Sequence, residues 1–163
     1  QGALALLPAR GTPAQELTRL RALTALRDWK AVRLVAARAQ PGPERIRCLV
    51  ALLERPHLQG ETASQRRTEA ESWLARLPEK PDVKEPFLIR AADLRLQGGD
   101  ARGALALYPA KPSPGQLGWV SLMRAQAQVQ LGQTEAAKAT LQAAKGADGF
   151  RGQREAMERR LGI

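Results

Sequence analysis

The stretch QGGDARGALALY, Gln97 to Tyr108, is followed 33 residues later by QLGQTEAAKATL, Gln130 to Leu141. In that register Gln97 meets Gln130, Gly99 meets Gly132, Ala104 meets Ala137 and Ala106 meets Ala139. Upstream, Ala92 meets Ala125 and Leu96 meets Val129. Glycine enters the left-handed conformation that ends a helix without a Cβ penalty. Each stretch therefore reads as the corner between two antiparallel helices. Ala92 and Ala104, or Ala125 and Ala137, are small enough to let the two helices of a pair approach closely. Tyr108 or Leu141 then fills the space toward the next hairpin.

The flanking punctuation agrees. Thr12-Pro13-Ala14-Gln15 puts a hydroxyl at the N-cap, proline at the first helical position and glutamine three residues on. Thr62-Ala63-Ser64-Gln65 repeats this capping box without the proline, and Ser113-Pro114-Gly115-Gln116 repeats it with one. Asp100 and Asp148 are further N-cap candidates, and Gly42-Pro43-Glu44 opens another helix. Gly98-Gly99, Gly132 and Gly146 are stops, and the prolines at 41/43, 78/81 and 109/112/114 cannot sit inside helices. Between these marks the apolar residues keep helical spacing, as in Leu17, Leu20, Leu23 and Leu26, or Ile46, Leu49, Val50 and Leu53. The sequence predicts helices over 12–26, 28–40, 43–57, 62–77, 84–98, 100–109, 114–131, 133–145 and 149–161. The fifth pairs with the sixth across Gly99, and the seventh with the eighth across Gly132.

Composition supports an all-α chain. Hydrophobic residues make up 44% of the 163 residues, too many for a disordered chain, while aromatics are only 4%. The most apolar run, Ala3 to Leu7, is far short of the ~20 residues that a membrane span needs. The expected architecture is a set of antiparallel helical hairpins stacked as a short right-handed solenoid. About four hairpins occupy a single domain over 12–163, preceded by an N-terminal extension, 1–11. Residues 149–163 form a capping helix, with Phe150, Met157 and Leu161 inward and Arg151, Arg154, Glu155, Glu158, Arg159 and Arg160 toward water. The hairpin phase also recurs upstream. Arg67-Thr68-Glu69-Ala70 lies 33 residues before Asp100, and Arg27-Asp28-Trp29-Lys30-Ala31 reads as another corner. Asp28 stands 39 residues before Arg67, the surplus falling in Arg55 to Gly60.

A period near 33–34 of helix, tight corner and helix resembles the tetratricopeptide repeat. Gly99-Asp100, Ala104 and Tyr108 carry the resemblance, then Gly132, Ala137 and Leu141, and Asp28-Trp29 is similar to the acidic-aromatic pair at that family's corner. The chain departs from the pattern where Arg27 and Arg66 replace glycine, where Ala92 and Ala125 replace the aromatic-and-glycine signature, and where Pro109 cuts a second helix short. An unrelated array of helical hairpins is the alternative. The resemblance implies protein–protein interaction, with the first helices of the hairpins lining a concave groove for a peptide or partner helix. It implies that Asp93, Gln97, Gln126 and Gln130 lie on that groove, with Trp119 near its rim and Arg21 on the equivalent face of the first hairpin. Trp119 would anchor a partner or simply cover the neighbouring hairpin. The function implied is that of an adaptor or assembly factor of a larger bacterial complex.

Motifs for chemistry are sparse. His57 is the only histidine, in a Pro-His loop, and Cys48 is the only cysteine, within the apolar run IRCLVALL, where it reads as a small buried hydrophobe. Gly146, Gly149 and Gly152 lack the Gly-Lys-Ser/Thr context of a phosphate loop. Asp82 and Glu85, or Glu69 and Glu71, sit in charged, solvated stretches rather than as a catalytic carboxylate pair. The reading is a non-enzymatic chain with no cofactor and no metal.

The net charge is +10, with +6 in residues 1–60, +1 in 61–112 and +3 in 113–163. This makes nucleic-acid or anionic-surface binding the alternative function, through Arg19, Arg27, Lys30, Arg33 and Arg38, continued by Arg45 and Arg47. Trp29 is the only aromatic among these bases, too few for stacking on single strands. The chain starts Gln-Gly-Ala without a methionine, as after a cleaved signal peptide, which favours a periplasmic or envelope setting over a cytoplasmic one.

Overall fold

The computed structural model describes residues 11–55, 61–147 and 149–163. Ala3 to Leu7, His57 and the Asp148 cap lie outside the described residues. Among the described residues there are nine helices and no strand. They are α1 (Pro13–Ala25), α2 (Trp29–Ala36), α3 (Pro43–Glu54), α4 (Ala63–Leu74), α5 (Glu85–Gln97), α6 (Ala101–Leu107), α7 (Pro114–Gln130), α8 (Thr134–Ala143) and α9 (Arg151–Leu161). All-α is therefore correct, and each helix falls at the position expected from its caps and breakers. Contacts divide the chain into two compact units, one of residues 1–62 and 68–87, the other of 63–67 and 88–163.

In the first unit, the Thr12 capping box forms. The Thr12 hydroxyl accepts the Gln15 N–H at 3.3 Å, and the Gln15 side chain accepts the Thr12 N–H at 2.8 Å. α1 packs on α2 and α3, and α2 on α3. Leu20, Leu23, Val32, Val35, Ile46, Leu49, Leu52 and Leu53 are buried. Leu26, the fourth leucine of the step-of-three series, is instead 61% exposed. Each three-residue step falls about 60° short of a full turn, so the series rotates off the buried face.

Arginine–glutamate pairs link separate segments of this unit. Arg45 and Glu79 are both buried and form a two-pronged bond, Nε to Oε1 and Nη2 to Oε2, each 2.7 Å. The Gly42 N–H adds to Glu79 Oε1 at 3.2 Å. Arg55, fully buried, donates to the Leu52 carbonyl, to Glu61 and to Glu69. Arg33 joins the same cluster through Glu69, at 2.6 and 3.1 Å. Burial alone would raise the Glu79 carboxyl, but the Arg45 bonds and backbone N–H groups outweigh it and hold it below its ordinary value. Glu69 behaves alike: burial raises it, and bonds and charge from Arg33 and Arg55 pull it lower overall.

In the second unit, the two corners are equivalent bond for bond. Gly99 has φ +82° and Gly132 has φ +73°. The N–H groups of Gly98, Gly99 and Asp100 donate to the carbonyls of Leu94, Leu96 and Arg95 at 3.1, 3.0 and 2.9 Å. Thirty-three residues on, Leu131, Gly132 and Gln133 donate to Ala127, Val129 and Gln128 at 3.2, 3.0 and 2.8 Å. The close-approach alanines Ala92, Ala104, Ala125 and Ala137 are all fully buried, and Tyr108 and Leu141 beyond them are buried too. Ile89, Ala92, Leu96, Ala101, Ala104, Tyr108, Val120 and Ala127 form one core across α5, α6 and α7. Ala125, Ala137 and Leu141 form a second, covered by Val129, Met157 and Leu161.

The Arg27 corner of the first unit carries the same bonds without glycine. Leu26, Arg27 and Asp28 donate to Ala22, Thr24 and Leu23 at 3.0, 3.1 and 3.0 Å, with Arg27 at φ +58°. Asp28 then caps Ala31 N–H at 3.1 Å, as Asp100 caps Gly103 N–H at 2.8 Å.

Three local expectations are corrected. Arg67 to Ala70 is not a corner but the interior of α4, where no residue takes a positive φ. The short match of Thr-Glu-Ala there is as compatible with a helix interior as with a helix start. Ser113 begins α7, yet its side chain makes no capping bond to that helix; Pro114, already fixed at a helical φ, supplies the start. Arg154 does not face water. It is buried and donates to the carbonyls of Ala144 and Ala147 at 3.1 and 2.5 Å. The cation adds a donor to the Ala144 carbonyl, which also takes the Ala147 N–H at 3.0 Å, and one to the Ala147 carbonyl, just past the C-terminus of α8.

An added Cβ at Gly132 would meet nothing within 4 Å, so any cost of substitution comes from φ alone. Gly132→Ala should therefore destabilise by about 1–2 kcal/mol. Arg27→Gly, at the same geometry, should stabilise by up to ~1 kcal/mol, reduced by glycine's freedom in the unfolded chain. Urea midpoints read both. If the two substitutions shift stability in the same direction, the corners are not equivalent.

Glu79→Gln should cost about 3–5 kcal/mol, because it strands the buried Arg45. A carboxyl held low in the folded state contributes stability that is complete above its unfolded value, 4.5, and is lost as pH falls below it. Wild type should thus lose stability on acidification below pH 4.5, and Glu79→Gln should flatten that slope; equal slopes in urea titrations across this window would refute the role.

Candidate functional site

Asp93 is the hub of the second unit. It lies on α5 and is buried. Its Oδ1 accepts the Tyr108 hydroxyl at 2.7 Å and its Oδ2 accepts the Trp119 indole N–H at 3.2 Å. Arg90 stands 3.8 Å from Oδ2, one turn earlier on the same helix. Tyr108 reaches Asp93 because α6 ends there: its backbone turns extended at φ −60°, ψ 129°, as the residue before Pro109 must. Arg124 on α7 holds the Tyr108 carbonyl at 3.2 Å. One carboxylate therefore fixes groups from α5, α6 and α7 together. Burial, and then the bond to Asp93, push the Tyr108 phenol well above its ordinary value.

Above this hub lies a cavity of about 280 Å³ lined by Asp93, Leu96, Gln97, Trp119, Met123 and Gln126. Trp119, Met123 and Gln126 also line a second cavity of about 410 Å³, which Leu122 on α7 and Gln153, Ala156, Met157 and Arg160 on α9 complete. The shared residues make the two cavities adjoining parts of one groove along α7. Its floor is Trp119, whose ring lies 4.8 Å from Phe150 at 52°. Phe150 takes a left-handed backbone, φ +53°, just before α9, and remains 44% exposed. It faces Trp119 rather than the core.

The structure brings together four of the six partner-binding residues named from sequence: Asp93, Gln97, Trp119 and Gln126. They do not act alike. Asp93 is committed inside the protein, so it positions Trp119 and Tyr108 rather than presenting a free carboxylate. Gln97 is exposed, and Trp119 and Gln126 are half-buried with surface in the cavity. Gln130, exposed at the end of α7, lines neither cavity. Arg21 is an exposed residue of α1 in the first unit. Sequence reasoning missed Met123, Met157 and Arg160. Met123 was findable, since Trp119, Met123, Gln126 and Gln130 follow i, i+4, i+7, i+11 on one face of α7.

The alternative anion-binding set is largely spoken for. Arg19 and Arg38 flank the buried Glu16, at 3.8 and 3.7 Å. Arg33 is bound to Glu69 and Glu61. Arg27 occupies the left-handed corner and is exposed, as is Lys30 on α2. A phosphate would have to compete with existing carboxylates at three of these five cations.

Among the described residues, no group of three or more histidine, cysteine, aspartate and glutamate side chains is placed to hold a metal ion. No described helix is long and apolar enough to cross a membrane. No protein-family model, curated protein or solved structure matches the chain.

Tyr108 is the only tyrosine, so its titration is directly visible. A phenol raised above its unfolded value, 10.0, contributes stability that is complete below that pH and is lost as pH rises beyond it. Phenolate absorbance should therefore stay absent in the folded protein at pH 10.0 and appear only with unfolding; titration at the ordinary value would deny the Asp93 bond. Tyr108→Phe should cost about 1–3 kcal/mol by leaving a buried acceptor short of a donor.

Proposed function

We propose that this chain is a non-enzymatic protein–protein interaction scaffold, an accessory or assembly factor that holds a partner segment in the groove along α7. The observation that carries the proposal is the convergence of Gln97, Trp119 and Gln126 on one cavity that Leu96 and Met123 also line. A partly open, apolar floor with amide groups on its walls suits a protein segment: apolar side chains fill the floor, and glutamines bond the partner's polar groups. Trp119 is held by Asp93 and braced by Phe150, so its ring is ordered before any partner arrives. Preorganised aromatic anchors lose little entropy on binding.

In this reading α5–α6 and α7–α8 are successive hairpins of a tetratricopeptide-like array and α9 is its cap. The equivalent corners at Gly99 and Gly132 support it. The groove then belongs to the first helices of the hairpins, the face expected to receive a partner.

The test is a photoreactive side chain at Gln126, in the groove, against one at Glu135, an exposed residue of α8. Irradiation in cells of the source organism should give a discrete protein adduct from position 126 and none from 135. Trp119→Ala should abolish that adduct. Identical adducts from both positions, or none from 126, would end the proposal.

A further inference from the structure

We infer that the occupant of this groove is an amphipathic helix with an acidic rim. The inference rests on the groove reading above and names the partner's chemistry. Its first support is the stripe that α9 contributes. Gln153, Ala156, Met157 and Arg160, at i, i+3, i+4 and i+7, all line the larger cavity. The two carboxylates of α9, Glu155 and Glu158, line a different cavity on its other flank, with Lys145 and Arg151. Arg160 is therefore the only charged residue of the larger cavity. The only acid of the adjoining cavity is Asp93, already engaged by Tyr108 and Trp119. The groove thus presents an exposed cation beside an apolar trough and no available anion.

The second support is the trough itself. Trp119, Met123 and Met157 are deformable or flat apolar surfaces, which accept the knobs of a helix in more than one register. No strand exists among the described residues, so pairing by strand addition has no template there, and helix-in-groove docking is the mode this surface offers. The third support is long-range. A chain of net charge +10 draws acidic segments toward it and repels basic ones. Arg160 then sets the register of an acid within the groove.

The experiment uses the full chain and two fluorescent helical peptides. One is built of Leu and Ala on one face and Glu on the other; its twin has Lys for every Glu. Anisotropy at moderate salt should show the Glu peptide binding about tenfold more tightly or better. Arg160→Glu should narrow that preference by about fivefold, whereas Arg159→Glu, the same change of net charge at an exposed neighbour outside the cavity, should narrow it less than about twofold. Ala156→Tyr, which fills the groove from an exposed position, should weaken both peptides. Circular dichroism verifies that each variant is folded. Equal effects of the Arg159 and Arg160 variants would assign the preference to overall charge and overturn the inference. Equal binding of the two peptides, both weakened by Ala156→Tyr, would overturn it while leaving the groove reading intact. Binding insensitive to Ala156→Tyr would remove the groove reading as well. Binding of neither peptide would overturn the inference.

Discussion

Everything that positions the groove depends on one backbone state, the left-handed residue that closes a helix at Gly99 and Gly132. The state points three consecutive N–H groups back at the carbonyls of the last helical turn. Those carbonyls would otherwise lack a partner within the helix. The chain reverses within two residues, and the second helix must then lie against the first. Only small side chains fit where they meet, and Ala92, Ala104, Ala125 and Ala137 are the ones found there, fully buried. Bulk appears a turn further on, at Tyr108 and Leu141.

The geometry of the groove follows from where that reversal delivers Tyr108. Because α6 spans only Ala101–Leu107 before Pro109 stops it, the phenol is set against Asp93 rather than continuing around a helix. Asp93 has two oxygens; one takes the phenol, and the other takes the Trp119 indole. The groove floor is thus the last link of a chain that runs from corner to short helix to carboxylate to indole. The last two links are bonds from a phenol and an indole to one buried carboxylate, strong and costly to leave unmade. A buried carboxylate in such a place reads as a catalytic candidate only until its partners are counted. Here they are spent on orientation.

The helices and the corners at Gly99 and Gly132 were legible in the sequence because they rest on local chemistry: caps, breakers, and a glycine whose φ no other residue reaches as cheaply. Half of the groove was legible for a related reason, since residues on one face of one helix follow from spacing alone. The ion pairs were not. Arg45 with Glu79 and Arg33 with Glu69 join residues 34 and 36 apart, and no local pattern marks one arginine among 20 as buried. Arg154 was misplaced for the same cause. Arginine's default address is solvent, and only the fold reveals that the Ala144 and Ala147 carbonyls lie within its reach. The α9 side of the groove failed differently: its stripe is visible in the sequence, but nothing local says which flank of that helix meets α7.

Upstream of Gly99, repetition of sequence and repetition of structure part company. At Arg27 the bonds of the Gly99 corner are reproduced with a residue that pays a steric penalty for the left-handed state. At Arg67 the 33-residue phase is kept, and the structure is an uninterrupted helix. Residue identity is therefore neither necessary nor sufficient for the corner. What Arg27 and Gly99 share is the next position: Asp28 and Asp100 each accept an N–H from the first turn of the following helix. At Arg67 that next position is Thr68, inside α4, where the backbone N–H groups already have helical acceptors and a cap has nothing to satisfy. At those two corners the chain turns where one helix can end and an aspartate stands ready to begin the next. Gln133, which caps nothing with its side chain, follows a glycine at Gly132 and relies on the cheap φ instead. The Arg27 corner has the aspartate alone, the Gly132 corner the glycine alone and the Gly99 corner both, so the 33-residue period marks the two corners that share glycine.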